Sequence, residues 1–265
     1  MSASQAFVLS TEACEAETKR YELSDGQWDR IASLLAGKAG DPGRTGADSR
    51  IFINGWPWVL RSGAHWRDLP DRYGKWTTVH KRFSRWRHAG IREQVFKTLT
   101  ADRDNQYLMI DCAIVRAHQQ AASGKGGRDQ APGRSRGGLT TRIHMLADAL
   151  GRPSRFIITA GQVGEITQAS SLPQGQSGDL VLADKAYSNA LRQIIASIGA
   201  EAVIPSNGLR KIIIPHDERA CAHRNHIGRC FSQMKLFRRF ASRYDRRAVH
   251  FRGFVYLVAA MPWMR

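Results

Sequence analysis

Acidic residues are scarce in this chain: 23 Asp and Glu stand against 40 Lys and Arg, a formal charge of +17. Cysteine is scarcer still. The four present, Cys14, Cys112, Cys221 and Cys230, are scattered with no CxxC pair, which argues against a disulfide framework in a chain of this size. Long apolar runs are missing. The longest, such as Leu180–Ala183 and Ile212–Ile214, fall far short of a bilayer span. No basic-then-apolar leader opens the sequence, where Phe7, Val8 and Leu9 are followed by Glu12, Glu15 and Glu17, so the expectation is a cytoplasmic protein. Nothing repeats at a period of roughly 20 to 50 residues, which sets aside solenoids and propellers. Hydrophobic content of 42% and 24 glycines exclude a largely disordered or fibrous chain.

What is abundant is positive charge, with a sequence pI near 10.5. A cation excess of this size points to a polyanion, nucleic acid first, because each Lys or Arg set on a phosphate releases condensed counterions. A solvated basic surface is the plain alternative. Residues 1–21 read as a flexible leader. From Leu23 the texture changes: Ser24 and Asp25 offer helix-capping oxygens, and Trp28, Ile31, Leu34 and Leu35 follow at helical spacing. Six of the seven tryptophans lie between Trp28 and Trp86, which suggests a small helical domain over 22–100 with an aromatic core. The segment Trp76–Arg87 has an apolar face (Trp76, Val79, Phe83, Trp86) and a basic one carrying Lys81, Arg82 and Arg85. That is the pattern of a DNA-facing helix, and equally of a basic solvated face.

From residue 106 the sequence reads as mixed α/β. Tyr107–Ile110 is a short apolar run ending at Asp111, and Leu180–Ala183 is another ending at Asp184. Strand-like runs at Leu139–Leu146, Arg155–Thr159 and Ala202–Ile204 join them, with helices over Ser188–Ile198 and Arg219–Phe240 and an amphipathic segment from Val249. A carboxylate at a strand end is aimed into the crevice where open α/β sheets bind ligands, and two on neighbouring strands can share divalent metals. Oxygen-only ligands favour Mg²⁺ or Mn²⁺ over zinc. Strand-ending Asp is also a common turn starter or helix cap. On the helix after Arg219, Cys221, Arg224, Gly228 and Lys235 fall on one stripe. From Arg219 to Arg252 there are ten Lys and Arg against the single acid Asp245, so the segment has almost no internal charge pairing and suits an external polyanion.

These segments resemble the DDE transposases of bacterial insertion sequences, of the insertion-sequence-five kind. The resemblance is carried by LSDGQWDRIASLL, GRTGADSRIFINGWPWVLRSGAHWRDLPDRYGKWTTVHKRFSRW, LMIDCAIVRAH, GGLTTRIHMLADALGRP, LVLADKAYSN and KLFRRFASRYDRRAVHFRGFVYLVAAMPW, nearly the whole chain from Leu23 to Arg265. It implies a small all-α DNA-binding domain followed, over 106–265, by an α/β domain with an RNase-H-like mixed sheet and flanking helices. It also implies two Mg²⁺ or Mn²⁺ ions, double-stranded DNA as partner at element ends and target, and a homodimer or higher assembly on DNA. Asp111 and Asp184 match the first two carboxylates of the triad, as catalytic residues and metal ligands. The family's helix signature is Tyr-x2-Arg-x3-Glu-x6-Lys. Arg224 and Lys235 match it, whereas Cys221 stands for the Tyr and Gly228 for the catalytic Glu. Arg224, Lys235, Arg238, Arg239, Lys81, Arg82 and Arg85 are the expected DNA-binding residues.

Glycine offers no ligand atom, so this copy is expected to be impaired. Pro57 and Pro262, where the family has aliphatic residues, point the same way; a proline inside a helix costs about 3 kcal/mol. The competing reading is a catalytically inactive DNA-binding protein, an inhibitor of transposition or a decayed remnant. Zinc at Cys221, His223, His226 and Cys230 is disfavoured because one helix cannot converge four ligands at that spacing. His144 reads as a packed or hydrogen-bonded histidine. The loop Gly124–Gly138 lacks the GK[ST] of a nucleotide cradle.

Overall fold

The computed structural model describes residues 21–38, 40–41, 46, 48–122, 132–164, 168–187, 189–206 and 213–265. The expected leader over 1–21, apart from Tyr21, and much of the Gly124–Gly138 loop lie outside them. The chain divides into two compact units, Met1–Ala89 and Gly90–Arg265. Among the described residues no helix is long and apolar enough to cross a membrane.

Every described element of the first unit is helical: α1 (Asp25–Ala32), α2 (Ser49–Ser62), two 3-10 turns (Trp66–Asp68 and Asp71–Tyr73) and α3 (Trp76–His88). Ser24 caps α1 as the sequence suggests. Its hydroxyl accepts from the Gln27 N–H and the Gln27 side chain accepts from the Ser24 N–H, satisfying two otherwise unpaired donors. Asp48 caps α2 through the N–H groups of Arg50 and Ile51. The core is aromatic. Trp56 meets Phe52, Phe83 and Trp86 edge-on, with centroids 4.9, 5.3 and 5.4 Å away, contacts that add about 1 kcal/mol each to the area they bury. Pro57 lies inside α2 and is buried, and the helix runs on through it.

The second unit opens with α4 (Ile91–Leu99) and then builds a seven-stranded sheet. Its first domain boundary therefore differs from the expected one at residue 100. Phe96 of α4 packs on Phe156 and Tyr256, at 5.8 and 5.5 Å, so this helix belongs with the sheet. The strands are β1 (Tyr107–Ala117), β2 (Gly133–Ser135), β3 (Gly138–Ala147), β4 (Pro153–Ala160), β5 (Leu180–Leu182), β6 (Glu201–Val203) and β7 (Ser242–Arg243). Strand β3 lies antiparallel to β1, and β2 and β4 both pair with β3; β5 runs parallel to β1, and β6 parallel to β5. The short strand β7 joins β1 in parallel at Arg116 and Ala117.

Strand β1 is longer than its apolar run. The sequence suggests an end at Asp111, whereas pairing with β3 continues from Met109 to Arg116. Cross-strand hydrogen bonds hold Asp111 and Cys112 extended although neither residue signals a strand by itself. Alternate residues then face opposite sides. Leu108 and Ile110 enter a core with Val181, Ala183, Leu191 and Ile195, the last two from α6 (Asn189–Ser197). The remaining described helices are α5 (Gln119–Ala122), α7 (Glu218–His223), α8 (Asn225–Lys235), α9 (Arg238–Ala241) and α10 (Ala248–Ala260).

The long helix expected over Arg219–Phe240 is thus three. It tightens at Arg224, whose N–H reaches Cys221 O at 3.1 Å, and opens at Phe237, which is extended at φ −84° and ψ 105°. Burial of Phe237 beside an exposed Leu236 favours that change of direction over a continued helix. Pro262 sits in a final 3-10 turn, Met261–Met264, that continues directly from α10.

Candidate active site

Parallel pairing of β1 with β5 proceeds Tyr107–Leu180, Leu108–Val181 and Met109–Leu182. Two residues beyond the last of these rungs stand Asp111 on one chain segment and Asp184 on the other. Asp111 shares the face of Met109 by the two-residue period of a strand, and Asp184 follows the end of β5 at Leu182, the Asp184 carbonyl accepting from the Tyr187 N–H. The register thus sets the two aspartates at matching positions on neighbouring parallel segments. Asp111 Oδ1 accepts from the Cys112 N–H at 2.8 Å, and Asp184 Oδ1 from the Lys185 N–H at 2.6 Å. Both carboxylates are partly exposed.

The turn between α7 and α8 delivers Arg224 to this face. Its Nη1 lies 4.0 Å from Asp111 Oδ2, with the Arg224 and Asp111 side chains 31% and 27% exposed. A guanidinium here offsets the charge of Asp111. Gly228 follows Arg224 by one helical turn, on the same side of α8. A Cβ built at Gly228 would meet nothing within 4 Å, so no packing demand explains the glycine. Lys235 ends α8 exposed. Among the described residues, no group of three or more His, Cys, Asp or Glu side chains gathers to hold a metal ion.

Neighbouring titratable groups are occupied elsewhere. Asp148 is fully buried and paired with Arg152 at 2.7 Å. His144 is buried on β3, with Nε2 2.9 Å from Thr159 Oγ1, and burial pushes its pKa down to about 4. Burial raises the Cys230 thiol to about 12, which leaves it protonated. His226 Nδ1 lies 3.2 Å from the Ala149 carbonyl, and His223 stacks near Tyr107 at 5.5 Å.

Of the expected surface cations, Lys81, Arg85, Lys235 and Arg238 are exposed. Arg239 is not a surface cation. It is 7% exposed, paired with Asp245 at 3.1 Å and set over Phe254. Arg82 is half-buried, donates to Ser49 Oγ at 2.8 Å and lies over the Phe52 and Trp86 rings. The basic run also hides Arg243, fully buried against Thr141 Oγ1 at 2.8 Å, with burial lowering its pKa to about 10. Charge alone does not separate such arginines from surface ones, because guanidinium serves aromatic faces and carbonyls as readily as phosphates. A second concavity, lined by His65, Trp66, Arg67, Asp68, Trp76 and His80, was not legible in the sequence, where these tryptophans read as core.

Residues 23–96 match a family described as "Putative transposase of IS4/5 family (DUF4096)". Among curated relatives, "Uncharacterized protein y4sN" of Sinorhizobium fredii is 41% identical over 111 residues, 40% of this chain and 87% of that protein. The "Putative transposase for insertion sequence element IS6501" of Brucella ovis is 40% identical over 130 residues, 48% of this chain and the whole of that protein. A solved piggyBac transposase synaptic complex with hairpin DNA superposes with a TM-score of 0.40 and 12% identity, over 74% of this chain and 51% of that one. The match to the whole of the Brucella protein, with the family match over residues 23–96, shows that the chain belongs to the insertion-sequence transposases.

Proposed function

We propose that the protein is a DNA transposase of the DDE type, with an RNase-H-like second unit, and that this copy is impaired because Gly228 stands in place of the third carboxylate. The observation that supports the reading is the register of β1 and β5, which sets Asp111 and Asp184 each two residues past its last paired rung, with Arg224 at Asp111 and Gly228 one turn along. An all-oxygen pair of part-exposed carboxylates fits Mg²⁺ or Mn²⁺, although the donor set is one anion short of a triad. When bound, two such ions would polarise a phosphodiester and activate the attacking hydroxyl. Asp111 and Asp184 would hold the ions. Arg224 balances Asp111 and orients it. Exposed Lys235 and Arg238 contact DNA phosphates near the site, and Lys81 and Arg85 do so on the helical unit, which binds element ends. Assembly on DNA is as a homodimer or higher oligomer.

A second reading, a catalytically inactive DNA-binding protein, is favoured by the lack of a third acid gathered with the two aspartates among the described residues. Strand cleavage of the element's own ends in Mn²⁺ separates the two. Weak cleavage by the native chain, raised by Gly228→Glu, supports an impaired transposase. Absence of cleavage from both, with end binding intact, supports the inactive binder.

A further inference from the structure

We propose that the first unit carries a pocket for a single unpaired nucleobase. The proposal rests on DNA as the partner and adds a specific site to it. The cleft has a volume of about 520 Å³, within the range of small-molecule sites. One wall is the 3-10 turn Trp66–Asp68 with His65 before it; the other is the first turns of α3, where Trp76 and His80 share a face. Trp66 is braced from behind by the fully buried Phe83, with centroids 4.9 Å apart, and edge-on by His80 at 5.3 Å.

The contrast with the true core is informative. Trp56 and Trp86 are 3% and 6% exposed and close on one another, whereas Trp66 and Trp76 are half-buried at the cleft. An aliphatic ligand would call for Leu, Ile or Val, and none lines this cleft. Braced indole and imidazole rings instead suit a planar heteroaromatic ring. Arg67, exposed and with its guanidinium 5.7 Å from the Trp76 ring centroid, can bond a base edge or the adjoining phosphate. Asp68, also exposed, can accept from an exocyclic amine. Stacking of this kind is tolerant of sequence. A base inside a duplex has both faces covered, so only an extruded or single-stranded nucleotide can enter.

The test measures binding of the full chain to a blunt duplex and to the same duplex with a short single-stranded tail carrying 2-aminopurine. Native protein should prefer the tailed DNA by about tenfold and change the fluorescence of the analogue. Trp66→Ala and Arg67→Gln should each bring that preference close to one while blunt-duplex affinity holds. Arg67 is exposed, so its variant keeps the core intact should Trp66→Ala fail to fold. Equal native affinity for the two DNAs, or parallel loss of both in the Arg67 variant, overturns the pocket and leaves the DNA partner standing. Failure of the native chain to bind either DNA overturns both.

Discussion

A side chain added at Gly228 meets nothing within 4 Å, and glycine in a helix interior costs about 1 kcal/mol relative to Ala. Gly228→Glu should therefore fold at least as stably as the native chain. It should also raise Mn²⁺-dependent cleavage by roughly two orders of magnitude, the usual scale for restoring one charge-stabilising group. A gel assay on element ends measures this; equal rates would mean that some other acid closes the site. Glu218, at the start of α7, and Asp245, held by Arg239, are poor substitutes by position. A second residue sets a pH dependence. Burial depresses the His144 pKa to about 4, so between about pH 6.5 and 4 the unfolded chain binds the proton that the folded chain refuses. Stability should rise with pH across that window and level off above it. The urea midpoint should accordingly drop from pH 7 to pH 5, and His144→Gln, which can keep a hydrogen bond to Thr159, should flatten that drop.

Among the elements, α2 carries an internal inconsistency. Pro57 sits in its interior with no N–H for the carbonyl one turn back, a loss of about 3 kcal/mol, yet it is buried and the helix runs on through it. Pro57→Ala restores the donor and removes two buried methylenes, about 0.8 kcal/mol each. The net gain of about 1 kcal/mol should raise the urea midpoint of this unit by roughly 0.5 M, followed by the fluorescence of its tryptophans. A lower midpoint would show that the ring's packing outweighs the missing bond. Helices α7 to α9 teach a different lesson. Their residues read as one basic helix, but burial of Phe237, Arg239 and Phe240 divides it.

For the molecule as a whole, the boundary between units has a direct consequence. Phe96 of α4 packs with Phe156 and Tyr256, and Gly253 of α10 makes room for Arg92, whose Nη1 would lie 2.2 Å from any Cβ there. A chain cut to begin at Gly90 should unfold cooperatively, whereas one beginning at Ala101 should lose several degrees of Tm or fail to fold, because it uncovers α10 and β4. Circular dichroism melts of the two fragments decide the point, and equal melts would contradict the assignment of α4 to the second unit.

The sequence by itself determined the classes of element, the capping of α1 and the aromatic character of the first unit, because each rests on local spacing, charge or side-chain chemistry. The length of β1, the breaks at Arg224 and Phe237 and the withdrawal of Arg239 and Arg82 from the surface were decided only in the tertiary structure. The pairing of Met109–Arg116 with β3, the Arg239–Asp245 ion pair and the stacking of Arg82 over Phe52 and Trp86 depend on partners brought together by the fold. A residue's own pattern carries no record of a neighbour distant along the chain.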